Sequence, residues 1–157
     1  MMSRTCDRRT FVYLAGAAAG TVALAGCIGG NGTDPDEDVP EEIHDFLDGA
    51  GGYDGSIMDA TGESTVQIDV GVGNGLTYDP AAVRIDAGTT VVWEWTGQGG
   101  SHDVASTGDS DSSFQSDLMS AEGETFEHTF DDAGVQLYVC TPHRGQGMLG
   151  AIEVTDG

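Results

Sequence analysis

From Ser64 to the C-terminus, apolar residues recur at every second position, and glycine- and aspartate-rich turns cut that alternation into short lengths. Val66-Gln67-Ile68-Asp69-Val70 alternates strictly, and Val91-Val92-Trp93-Glu94-Trp95 places Val91, Trp93 and Trp95 on one face. A period of two is the signature of an extended strand with one face buried. Further short segments of the same kind lie at 83–85, 125–130, 135–140 and 149–155, separated by turns at 71–75, 86–88 and 131–134. Seven or eight short strands within about 95 residues, with no helical periodicity among them, predict an all-β, Greek-key β-sandwich. Alternation says which residues face the core, but it leaves the order of the strands open.

Ahead of the strands the pattern changes. Pro40 is placed to open a short helix with Ile43, Phe46 and Leu47 on one side, stopped by Gly49. Residues 43–63 are therefore expected to form a short helix and a turn, and 64–157 the sandwich domain. His44 falls on the polar side of that helix as a solvated residue. Residues 27–42 are dominated by Gly, Asp, Glu and Pro. They have too little apolar surface to bury, which predicts a disordered, solvated tether.

The first 26 residues read as an export signal. Arg8-Arg9-Thr10-Phe11-Val12 resembles the twin-arginine motif, and the apolar run from Phe11 to Gly26 is 16 residues long, short of the ~20 that span a bilayer. The run ends Leu24-Ala25-Gly26-Cys27, which resembles a lipobox. The expectation is cleavage before Cys27, with the lipid carried on its sulfur. The mature protein would then sit on the extracellular face of the cell membrane.

Charge excludes one large class of partner. The chain has 27 Asp plus Glu against 5 Lys plus Arg, all five of them arginines. Losing residues 1–26 removes Asp7, Arg4, Arg8 and Arg9, leaving 26 acidic residues against Arg84 and Arg144, a formal net charge of −24. Such a surface repels nucleic acid and is not drawn to an anionic membrane by charge, so attachment falls to the lipid. Because the acids run through the strands as well as the tether, they read as a folded surface adapted to molar salt, where repulsion is screened.

The three cysteines do not form a disulfide framework. Cys6 leaves with the signal, Cys27 carries the anchor, and Cys140 lies in Cys140-Thr141-Pro142-His143-Arg144-Gly145-Gln146-Gly147-Met148. A thiolate, an imidazole and a thioether on one tight loop suit copper. A second imidazole would complete a trigonal Cys-His-His site with a weak axial Met. His102, which follows the 91–95 strand through a glycine-rich turn, is the candidate, and His128, between Phe126 and Phe130, is the competitor, read as structural. Met58 and Met119 lack partners in such a loop and default to core or surface.

The motif Cys-x-Pro-His-x-Gly-x-Gly-Met resembles the plastocyanin loop position for position, and residues 64–157 resemble a plastocyanin-type cupredoxin. Gly75-Leu76-Thr77-Tyr78-Asp79-Pro80 is similar to that family's first-hairpin segment. With the lipobox, acidity and short preceding helix, the chain is most similar to the halocyanins. The resemblance implies one copper ion cycling between Cu(II) and Cu(I), held by His102, Cys140, His143 and Met148. It implies an exit for the electron at the edge of His143, ringed by Leu76, Gly147, Met148, Leu149 and the 97–100 turn, with Arg144 beside it. Two positions depart from the pattern. Asp103 replaces the usual Asn after the first His ligand, where loss of a side-chain hinge is expected. Val139 stands where plant and cyanobacterial plastocyanins carry an exposed aromatic, so their lateral electron-entry route is not expected here.

The function that follows is a membrane-anchored, mobile one-electron carrier with a mononuclear type 1 (blue) copper site. Its expected partners are the membrane-bound electron donors and acceptors of a respiratory-type chain, and the chain is expected to be a monomer. The closest alternative is a copper-binding or trafficking protein of the cell surface. A cysteine hydrolase, the alternative from another class, lacks any oxyanion site in the sequence.

Overall fold

The computed structural model describes residues 39–157; the signal, Cys27 and most of the tether lie outside the described residues. A short helix, α1 (Glu41–Leu47), precedes nine strands: β1 (Met58–Asp59), β2 (Thr65–Val72), β3 (Thr77–Asp79), β4 (Ala82–Asp86), β5 (Thr89–Trp95), β6 (Ala105–Ser106), β7 (Thr125–Phe130), β8 (Gly134–Val139) and β9 (Leu149–Thr155). They form two sheets, ordered β1-β4-β9-β8-β6 and β3-β2-β5-β7. The all-β sandwich with one short helix is thus the observed fold. The three strands absent from the periodicity, β1, β3 and β6, have two or three residues each, too few for alternation to register.

Three pairings are parallel: β1 with β4, β2 with β5, and β4 with β9. Each joins segments far apart in the chain. In β5 burial alternates without a break from Thr89 to Trp95, with Val91, Trp93 and Trp95 inward. Trp93 is fully buried and is ringed by Phe114, Phe126, Phe130 and Tyr138, with centroids 5.5–6.4 Å away. This aromatic cluster fills the space between the sheets and holds them at fixed separation. Cys140 and Met148 belong to the same apolar cluster, so the core and the candidate site are continuous.

The β4-β9-β8 sheet is covered on both faces. Val83, Tyr138 and Ile152 point into the sandwich, while their neighbours Ala82, Leu137 and Ala151 point outward against Val39, Ile43, Leu47 and Ala50. That second cluster is made by α1. Pro40 opens the helix and its carbonyl accepts the N–H groups of Ile43 and His44. Glu41 and Glu42 face the positive end of the helix dipole, and Ile43 and Leu47, four residues apart, are fully buried. Small residues at 82 and 151 let the helix approach the sheet closely.

Candidate metal centre

Two loops at one end of the sandwich carry the candidate ligands. His102 follows β5 and is tied to a neighbouring segment by a reciprocal bridge, His102 N–H to the Met119 carbonyl at 2.8 Å and Met119 N–H to the His102 carbonyl at 2.9 Å. Trp95 Nε1 also donates to the His102 carbonyl, at 3.1 Å. The His102 ring is fixed from behind, because Nε2 is 2.7 Å from the Gln98 carbonyl. Only an Nε2–H can donate there, which leaves the Nδ1 lone pair facing the site. Gly71 makes room for this arrangement: at φ +93°, a Cβ would press on the Gln98 carbonyl and on His102 Nε2. Gly99 is similarly constrained, since a Cβ there would overlap the Gly75 carbonyl. The glycine-rich turn before His102 is a packing requirement of the ligand.

Cys140 ends β8, and residues Thr141–Gln146 wind into a 3₁₀ turn that brings His143 back over it. Cys140 Sγ lies 3.4 Å from His143 Nδ1 and 3.6 Å from His102 Nδ1, and the two Nδ1 atoms are 3.1 Å apart. A point equidistant from the three is about 2.0 Å from each, the length of a first-row metal–imidazole bond. Two imidazoles and one thiol therefore surround a position of the right size for a single ion, and among the described residues they form the group of His, Cys and acidic side chains close enough to hold one. Met148 is fully buried; its carbonyl accepts the Cys140 N–H at 3.0 Å and its N–H donates to the His143 carbonyl at 3.3 Å. The donor set fits copper: soft sulfur and borderline nitrogen in a dry, preformed pocket. His128 instead stacks on Phe114, 5.3 Å between centroids, and packs edge-on to Phe130.

Burial sets the protonation of the metal-free site. It pushes the Cys140 thiol up, against the pull of the Asp103 and His143 backbone N–H groups on the sulfur. It pushes His102 down, opposed by the bond to Gln98. Both shifts favour the neutral forms, a thiol at Cys140 and an uncharged ring at His102, and an incoming metal displaces the thiol proton.

Asp103 corrects an expectation. The hinge thought to be lost with the usual Asn is present: the Asp103 carboxylate accepts from the Thr141 backbone N–H at 2.6 Å and from Thr141 Oγ1 at 2.8 Å. The carboxylate accepts both bonds because Thr141 supplies two donors. Its own carbonyl accepts from Tyr78 Oη at 2.6 Å. Asp103 thus joins the His102 loop to the Cys140 loop and to the first hairpin. Sequence reasoning marked this position only as a departure; the Gln98 carbonyl and Gly71 left no signal, since their roles depend on contacts across the fold. Val139 is buried. Of the exit-face candidates, Leu76 and His143 are half-buried and Arg144 is exposed. Leu149 packs against the α1 cluster, and Gly147 lies against Gly49–Gly51.

Residues 64–155 match the family described as copper binding proteins, plastocyanin/azurin family. The chain belongs to that family. It is 54% identical to the halocyanin of Natronomonas pharaonis over 94% of this chain and 97% of that protein. It is 35% identical to the plastocyanin of Scenedesmus fuscus over 57% of this chain and 98% of that one. Among solved structures, the copper-containing nitrite reductase of Thermus scotoductus SA-01 superposes on 59% of this chain at 25% identity and a TM-score of 0.50, using 23% of its own chain. The cupredoxin fold and the cofactor, one copper ion, follow from the family match together with the converging His102, Cys140 and His143 donors.

Replacing Asp103 tests the hinge. Asp103→Ala strands two donors of Thr141 beside the site, which should destabilise the domain by about 1–3 kcal/mol and speed copper loss to a chelator. Asp103→Asn should retain most of both properties, because its amide oxygen can still accept the Thr141 N–H. Denaturant unfolding and chelator-driven release rates check this, and equal behaviour of the Ala and Asn variants would refute the hinge.

Proposed function

We propose that the chain is a mobile one-electron carrier, tethered by a lipid on Cys27 to the outer face of the cell membrane, and not an enzyme. The observation that carries this is the convergence of two imidazole nitrogens and one thiol sulfur on a single buried point. When bound there, copper supplies a one-electron couple between Cu(II) and Cu(I). The protein's part is to keep the ligands still. Gln98 fixes the His102 ring, Asp103 ties the two ligand loops together, and the aromatic core holds the sheets apart, so little rearrangement accompanies a change of charge. Cys140 is fully buried with its thiol pushed up, which suits a metal ligand and not an attacking nucleophile. Relatives named halocyanin and plastocyanin support the same reading.

His102 is sealed, at 1% exposure, whereas His143 is half-buried at the surface. His143 is thus the ligand a partner can approach, and the surface beside it, with Leu76 and Arg144, is the docking face. The partners are membrane-bound donors and acceptors of a respiratory-type chain. At 1 M salt the Debye length is about 3 Å, so a net charge of −24 on the mature chain steers little, and short-range apolar contact selects the encounter.

The purified protein should turn intensely blue on adding one equivalent of Cu(II), through thiolate-to-copper charge transfer, and Cys140→Ser should abolish the colour. Met148→Gln should stay blue with a lowered potential. A Cys140→Ser protein that remains blue sinks the assignment. Leu76→Asp should slow electron transfer to the native partner in molar salt by about fivefold or more, the scale of one interface anchor, with the spectrum unchanged. Asp131→Asn with Asp132→Asn should matter little there; the reverse pattern would mean that charge directs docking. For the anchor, Cys27→Ser should release the protein from membranes with its copper site intact, and an N-terminal peptide without lipid mass in the wild type would exclude it.

A further inference from the structure

The family match begins at residue 64, yet residues before it reach the copper loop. After α1 the chain turns at Gly49 and Ala50 N–H caps the Leu47 carbonyl at 2.8 Å. Gly51 N–H then donates to the Gly147 carbonyl at 3.0 Å. Gly147 immediately precedes Met148 and has φ +84° and ψ +20°. Its carbonyl also accepts the Leu149 N–H at 3.0 Å. The backbone immediately before Met148 is thus gripped from outside the sandwich. The grip is itself anchored: Val39, Ile43, Leu47 and Ala50 are buried against β4, β8 and β9, and His44 Nδ1 meets Tyr53 Oη at 3.0 Å across the turn.

We propose that the 39–57 segment is a strap for the metal loop and that Gly51 is a positioning residue for Met148. The inference rests on the copper site assigned above. Met148 would offer its thioether to a bound copper, and the separation of a weak thioether donor from the metal tunes the potential without holding it. Its own N–H makes the long bond of 3.3 Å to the His143 carbonyl, so the loop's later half needs a second hold. The Gly51–Gly147 bond supplies it. Thioether donation favours Cu(II), so a Met148 allowed to drift outward raises the potential. Residue 51 is glycine because a Cβ there would sit 2.6 Å from the Thr77 methyl.

That last contact gives a clean experiment on the full chain. Thr77→Ser removes the methyl and keeps the hydroxyl that bonds the Val72 carbonyl. In that background, Gly51→Ala adds a Cβ but keeps the N–H donor, and Gly51→Pro adds similar bulk and removes it. The Pro variant should show a raised reduction potential and an altered copper EPR signal relative to the Ala variant. In the metal-free protein, amide exchange at Met148 and Cys140 should accelerate about fivefold in the Pro variant and not in the Ala variant, the scale of one net hydrogen bond. Ile43→Ala, remote from the loop, loosens the strap by another route and should move potential and exchange in the same direction, which covers a Pro variant that fails to fold. If wild type takes up no Cu(II), the copper reading fails, and exchange in the metal-free protein still decides the strap. Equal potentials and equal exchange in the Ala and Pro variants, or in wild type and Ile43→Ala, overturn the proposal.

Discussion

Three electron-rich donor atoms held within 3.6 Å of one another form a constraint that side chains do not adopt by themselves. Without a metal, Nδ1 of His102, Nδ1 of His143 and Sγ of Cys140 gain little from one another, and burial opposes charging His102 and Cys140. The scaffold has to hold them there. It does so with groups that have no metal to bind: the Gln98 carbonyl behind His102, the Asp103 carboxylate across to Thr141, and the Trp93 cluster between the sheets. A site built this way is already close to its bound geometry. That is the property a rapid one-electron carrier needs and a copper-delivery site, which must open, does not.

The same end of the molecule reconciles two opposed demands. Electron exchange requires one ligand near the surface, while a thiolate–copper bond requires a dry interior. The fold assigns the two imidazoles differently, sealing His102 under the 97–101 turn and leaving His143 half-exposed on the 3₁₀ turn.

The helix and turn before the sandwich add a second apolar layer. Small side chains at Ala82 and Ala151 make a seat for Ile43 and Leu47, so the β4-β9-β8 sheet is buried on both faces, and its strands lose the simple alternation of a half-solvated sheet. β9 runs buried from Gly150 to Ile152 for this reason. The layer also reaches Gly147, which links a feature outside the matched family segment to the residue that precedes Met148.

What the sequence determined by itself was local. The alternation of β2, β5 and β7 follows from the geometry of an extended chain, α1 from Pro40 and the Ile43–Leu47 spacing, and Cys140, His143 and Met148 from donors on one loop only nine residues long. In each case the residues that must cooperate are sequence neighbours. Tertiary structure decided the rest. His102 meets Cys140 across 38 positions, and the parallel pairings of β2 with β5 and β4 with β9 leave no periodic trace because the partners are not neighbours in the chain. Asp103 looked like a lost hinge until Thr141 was found to offer it two donors. Gly51 carried no signal at all, since its role lies in a backbone N–H, which every residue except proline has, and only the packing of α1 brings that N–H to the Gly147 carbonyl.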